Sequence, residues 1–251
     1  MFLRVGYWRL HPYHRLSVRD HVEEWVGWQS LMRLVNLLPE SWVKERAFIA
    51  TLFETGGRVS EVLMLKASNF EIRESEGLVI IRNMPLLKRY RKIAEKQFDN
   101  GRRGWITVRV QKARKPFPIL MKEPLAEILV SYVRSLPGAE SLLFPSPRKP
   151  GQPLSRFWAY KLVRILDSMA PDTLKANLGL IRDEAAQDRL HLWLHWFRAQ
   201  RACQLVSDYG FELHDLIDWF SWEHLKTALT YSRKGWKGLA AKMLEAGSHA
   251  R

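Results

Sequence analysis

Apolar residues recur at helical spacing along most of this 251-residue chain, but between Gly77 and Met121 that spacing gives way to alternation. Side chains return to one face every 3.6 residues on a helix and every two on a strand, so the change of period fixes which backbone each segment can bury. Before the change, Val22, Trp25, Val26, Met32 and Val35 stand near helical spacing. Phe48, Ile49, Leu52 and Phe53 form a second stripe, which Gly56 and Gly57 close. Val59, Val62, Leu63 and Lys66 carry a third helix within RVSEVLMLKASNF, with Arg58 at its start. GLVIIR (77–82), WITVRVQ (105–111) and KPFPILM (115–121) then alternate as half-buried strands do. The insertion from Asn83 to Gly104 is expected to be a helix with a loop. Helical spacing returns in PLAEILVSYVRSL, SRFWAYKLVRILDSM, LHLWLHWFRAQRACQLVSDYG and ELHDLIDWF. The predicted fold class is mainly α (α+β): a helical domain with a small antiparallel β-sheet.

Composition removes several function classes. A hydrophobic content of 47% with 11 Trp and 11 Phe excludes an intrinsically disordered chain, which lacks the apolar surface to offset ordering entropy. Charges interrupt every apolar run before the roughly 18 residues that a membrane span needs. No secretory leader is legible at the N-terminus, and Cys203 is the single cysteine, so a cytoplasmic location is expected. The class of partner follows from charge. The net charge is +14, and residues 82–122 hold thirteen Lys or Arg against Glu95 and Asp99, a local +11. Such a concentrated field suits a polyanion, because neutralised phosphates release condensed counterions. Nucleic acid is the expected partner, ahead of an anionic membrane surface.

Three stretches carry candidate chemistry. In LHWFRAQRACQLVSDYG, His195 and Arg198 are three residues apart and share a helix face, which places a proton acceptor beside a fixed cation. No Cys or carboxylate stands at zinc spacing from His191 or His195, and TGGRVSE lacks the glycine spacing and Lys-Ser/Thr of a nucleotide-phosphate cradle. No metal and no cofactor is expected. In FSWEHLKTALTYSR, Tyr231 follows Trp222 by nine positions.

Taken together, these stretches resemble the tyrosine recombinases, or phage integrases. LFETGGRVSEVLMLKASNF is similar to their first arginine box, LHWFRAQRACQLVSDYG to their His-x-x-Arg box, and FSWEHLKTALTYSR to the box that ends in the tyrosine. The resemblance runs in order across residues 45–232. It implies cutting and rejoining of double-stranded DNA through a 3′-phosphotyrosyl intermediate, without ATP or metal. Tyr231 is then the nucleophile, Arg58 and Arg198 the phosphate clamp, and His195 a general base or acid, with Glu61 orienting a cation from behind. Trp222 stands where most relatives have a second His, so it can donate one N–H but cannot shuttle a proton. Ser221 replaces the usual Gly. Relatives use a hairpin lysine to protonate the leaving 5′-oxygen, for which Lys112 is preferred here and Lys115 is the alternative.

The resemblance further implies a leader or remnant over residues 1–40, a catalytic domain over 41–251, and a homotetramer on paired DNA. Integrase, resolvase and transposon recombinase stay open as roles. A type IB topoisomerase shares the chemistry, and a DNA-binding module that has lost catalysis is the reading from another class.

Overall fold

The stretch Ala47–Thr55 is buried all round, so the helix that contains it must lie at the centre of the molecule. The computed structural model describes residues 24–93, 105–183, 188–189, 191–223 and 225–231. The helices are α1 Gly27–Val35, α2 Val43–Thr55, α3 Val59–Val62, α4 Pro124–Arg134, α5 Arg156–Met169, α6 Asp172–Asn177, α7 Leu194–Tyr209, α8 Leu213–Phe220 and α9 Leu225–Tyr231. The strands are β1 Phe70–Arg73, β2 Leu78–Ile81, β3 Pro85–Ile93, β4 Trp105–Ala113, β5 Phe117–Leu120, β6 Ile181–Asp183 and β7 Asp188–Arg189.

Helix α2 packs between α4 and α7. Its two threonines are satisfied within the helix: Thr51 Oγ1 donates to the Ala47 carbonyl at 2.7 Å and Thr55 Oγ1 to the Thr51 carbonyl at 2.6 Å. One continuous core runs from Leu31 to Ala228. Helix α1 belongs to it, with Leu31, Leu34 and Val35 fully buried and Trp25 stacked 5.5 Å from Phe53.

The sheet is antiparallel in the order β1-β2-β5, with Phe70 opposite Ile81 and Ile81 opposite Phe117. Phe70, Val79, Ile81, Phe117 and Ile119 face the core. The mainly helical class with a small antiparallel sheet is thus the observed architecture.

Two local expectations need correction. The insertion after Asn83 does not begin as a helix: β3 pairs with β4 from Pro85–Ala113 to Ile93–Trp105. Strand β4 runs nine residues while β5 has four, so β4 needs a partner of its own length, and residues 85–93 supply its backbone hydrogen bonds. The remainder of that expected helix and loop, residues 94–104, lies outside the described residues. The third helix is also short. It spans Val59–Val62 only, because Asn69 Oδ1 takes the Lys66 N–H at 2.8 Å and turns the chain into β1.

Among the described residues no helix is long and apolar enough to cross a membrane, and no cluster of His, Cys, Asp or Glu could hold a metal ion. Cys203 is buried, and burial pushes its thiol up to about 12, so it packs and does not react.

Candidate active site

The site is built on the corner where α2 ends. Gly56 adopts φ +51°, and a Cβ there would lie 2.4 Å from Phe220 Cε1. At Gly57 a Cβ would lie 2.3 Å from Met84 Cε and 2.8 Å from Val62 Cγ2, so both positions are crowded, while the left-handed turn itself calls for glycine at Gly56. This corner delivers Arg58 to the N-cap of α3. The Arg58 N–H donates to Glu61 Oε2 at 2.8 Å, and its guanidinium donates to Glu61 Oε1 at 3.0 Å. Glu61 is fully buried and also accepts the Leu87 N–H at 3.3 Å, whereas the Arg58 side chain is 48% exposed. A fixed carboxylate therefore holds the base of the guanidinium while its outer edge faces solvent.

Arg198 reaches the same corner from α7. It is buried, and its guanidinium donates to the Gly56 carbonyl. Below it lies an aromatic shelf: the Phe220 and Trp222 rings stack at 4.5 Å and 10°, with the guanidinium 4.6 Å from the first and 5.5 Å from the second. Such a shelf fixes a planar cation without spending its in-plane donors. Ser221, between the two rings, sits at φ +50°, the left-handed conformation that glycine adopts most easily.

His195 is one turn before Arg198. Its ring is crowded by protein, and that crowding, followed by the Arg198 and Arg58 charges, lowers it to about 4. The residue as a whole is nevertheless exposed, so solvent softens the first cause while the two cations act regardless. At neutral pH His195 is an uncharged proton acceptor.

The structure therefore gathers Arg58, Glu61, His195, Arg198 and Trp222. Tyr231 is the last residue of α9, which packs on α7 and α8 through the fully buried Ala228; its side chain lies outside what is described. Neither lysine side chain bonds to that group among the described residues, although the Lys115 backbone N–H donates to Ser221 Oγ at 3.3 Å. Lys112 is exposed on β4 opposite Leu86, and it makes no hydrogen bond or ion pair with the gathered group among the described residues. Lys115 follows β4 and pairs with Asp218 at 2.6 Å, an exposed pair that contributes little.

Sequence reading passed over one member. Arg114, 2% exposed, donates to the Thr55 carbonyl at 2.8 Å and to the Trp219 carbonyl. Burial first, then Arg198 and Arg58, pull it well below the usual arginine range, against the opposing Glu61. No local pattern marks it, because its acceptors are 59 and 105 residues away.

No protein-family model and no curated protein matches this chain. Solved structures do. The XerH site-specific recombinase bound to its difH substrate is similar over 84% of this chain and 50% of that one, at 16% identity and a TM-score of 0.51. The XerA recombinase is similar over 90% and 64%, at 16% identity and 0.52, and the Tn1549 transposon integrase with circular intermediate DNA over 88% and 66%, at 14% and 0.51. The chain thus spans half to two thirds of the length of these structures. What they share with it is the fold.

Proposed function

We propose that this chain is the catalytic part of a site-specific DNA recombinase or integrase, with residues 41–251 as the catalytic domain. The observation that carries the reading is the bond from Arg198 to the Gly56 carbonyl, two residues before Arg58. It draws together two arginines that lie 140 positions apart in the chain, beside a neutral histidine. Two guanidinium groups on one corner match the paired oxygens of a phosphodiester and the charge that spreads over them in a five-coordinate transition state.

In this reading the Tyr231 oxygen attacks the phosphorus while its proton passes to His195. A P–O bond to the tyrosine forms and the P–O5′ bond breaks, leaving a 3′-phosphotyrosine. The departing 5′-oxygen takes a proton from Lys112 or Lys115, and the Trp222 N–H is a donor to phosphate. The exchanged bond keeps its energy for religation, so the reverse attack by a 5′-hydroxyl restores the strand. Glu61 holds Arg58 in place. The partner is double-stranded DNA, in a homotetramer on paired sites.

A nicked suicide duplex tests this, since loss of the short 5′ fragment traps the adduct. Wild type should form a covalent protein–DNA species that Tyr231→Phe lacks entirely. DNA binding with no adduct in the wild type overturns the reading. That outcome favours a DNA-binding module, for which Trp222 in the place of a second His and Ser221 in the place of the usual Gly are the motivating observations.

A further inference from the structure

Arg114 and Arg198 are anchored on neighbouring atoms. Arg198 holds the Gly56 carbonyl and lies on the Phe220 ring. Arg114 holds the carbonyls of Thr55 and Trp219, the residues immediately before each of those anchors. Both carbonyls close helices, Thr55 at the end of α2 and Trp219 one residue from the end of α8, where unsatisfied acceptors and the negative end of the helix dipole favour a cation. The Arg114 guanidinium is further fixed 4.2 Å from the Phe117 ring, with Met84 Sδ 3.2 Å from one nitrogen.

A charge is an expensive means of filling a core. Its retention here, with no carboxylate in ion pair among the described residues, asks for a role that an apolar side chain cannot fill. We propose that Arg114 is a positioning residue for the reaction proposed above: its two-pronged grip locks the ends of α2 and α8 together and so aims the Arg198 guanidinium at the phosphate. The inference rests on that reading of the site. Phe220 makes the coupling rigid, because its ring is pressed against Gly56 so closely that no Cβ fits between them. A shift of either helix end moves one of the two anchors of Arg198 and not the other.

Arg114→Met and Arg114→Lys test the grip; the lysine keeps the charge but has one donor centre in place of the fork. In single-turnover cleavage of the suicide duplex at saturating DNA, Arg114→Met should be slower by about 10- to 100-fold, the usual penalty for a misaimed group. Duplex affinity should stay within about twofold, because one buried cation contributes little to phosphate contacts. Independently of cleavage, the His195 ring titrated by NMR should show a raised midpoint in both variants as Arg198 loosens beside it. A purely structural role would lower Tm but leave the folded variant's cleavage rate and the His195 midpoint at wild-type values, which overturns the proposal. If Arg114→Met does not fold, Arg114→Lys carries the same two measurements. If wild type forms no adduct, the proposed reaction falls; a shifted midpoint in Arg114→Lys then still supports the grip, and an unshifted one removes it.

Discussion

Two buried arginines flank Trp219, and they are treated in opposite ways. Arg201 stacks 5.3 Å from the Trp219 ring and meets two carboxylates: Glu123 at 2.8 and 2.9 Å, and Glu54 at 3.3 Å. Gln204 and Tyr209 complete that network by donating to Glu123. Arg114 binds the carbonyl of the same tryptophan and meets only carbonyls, a thioether and aromatic rings among the described residues. Around Arg201 charge is cancelled within the fold. Around Arg114, Arg58 and His195 the positive potential is left standing, and after burial it adds to the pull on both Arg114 and His195. Arg201 lies one turn beyond Arg198 on α7, and Glu54 one turn before Arg58 on the other side of the glycine corner, so the neutral network underpins the charged one. The contrast teaches that burial alone does not mark an arginine as structural; the identity of its acceptors does.

The largest effect should come from emptying the neutral network. Arg201→Met leaves Glu123 buried beside Glu54 with no cation, and breaking such a pair costs about 3–5 kcal/mol, or about 10 °C in Tm. Arg114→Met orphans two carbonyls and should cost about 1–3 kcal/mol. Thermal unfolding of the two variants side by side checks the ranking; an equal loss would erase the distinction between the regions.

A finer test separates the two carboxyls. Burial pushes Glu54 well above the usual carboxylate range, with Arg201 opposing and Glu123 adding to the rise. Burial also opposes ionisation of Glu123, but Arg201 and hydrogen bonds from Glu54 and Tyr209 hold it below that range. Glu54 is then the neutral acid of the pair and Glu123 the carboxylate. Glu54→Gln should cost less than about 1 kcal/mol, while Glu123→Gln, which removes the counter-charge of Arg201, should cost about 2 kcal/mol or more. The reverse order in denaturant unfolding would reassign the proton.

The legibility of these regions in the sequence follows from the range of the forces involved. Helix α2 and its end were readable, because Phe48, Ile49, Leu52 and Phe53 repeat at helical spacing and Gly56-Gly57 stop it. Arg58, His195, Arg198 and Trp222 were readable because they sit in boxes whose internal spacing is local. Strand β3 was not, since its pairing partner lies across residues 94–104 and its own residues show a basic run before they show a period. Arg114 and Arg201 look in the sequence like any other cations. What buries them is a set of acceptors on distant elements, and no window of neighbouring residues contains that information.

The smallest effect concerns protons at the charged side. The folded His195 value of about 4 lies below the ordinary 6.5, so between those values the folded protein binds fewer protons than the unfolded chain. The stability this group contributes is complete above pH 6.5 and is lost as pH falls toward 4. The Tm of wild type should therefore fall relative to that of His195→Gln as the pH drops through that window, with little difference in slope above it. An anion held between Arg58 and Arg198 cancels the two charges that add to burial in depressing His195, so saturating duplex DNA should raise its NMR midpoint. The Arg201 network, already neutral, offers such an anion nothing, and a midpoint that ignores DNA would mean that the open positive potential at this corner is not where phosphate binds.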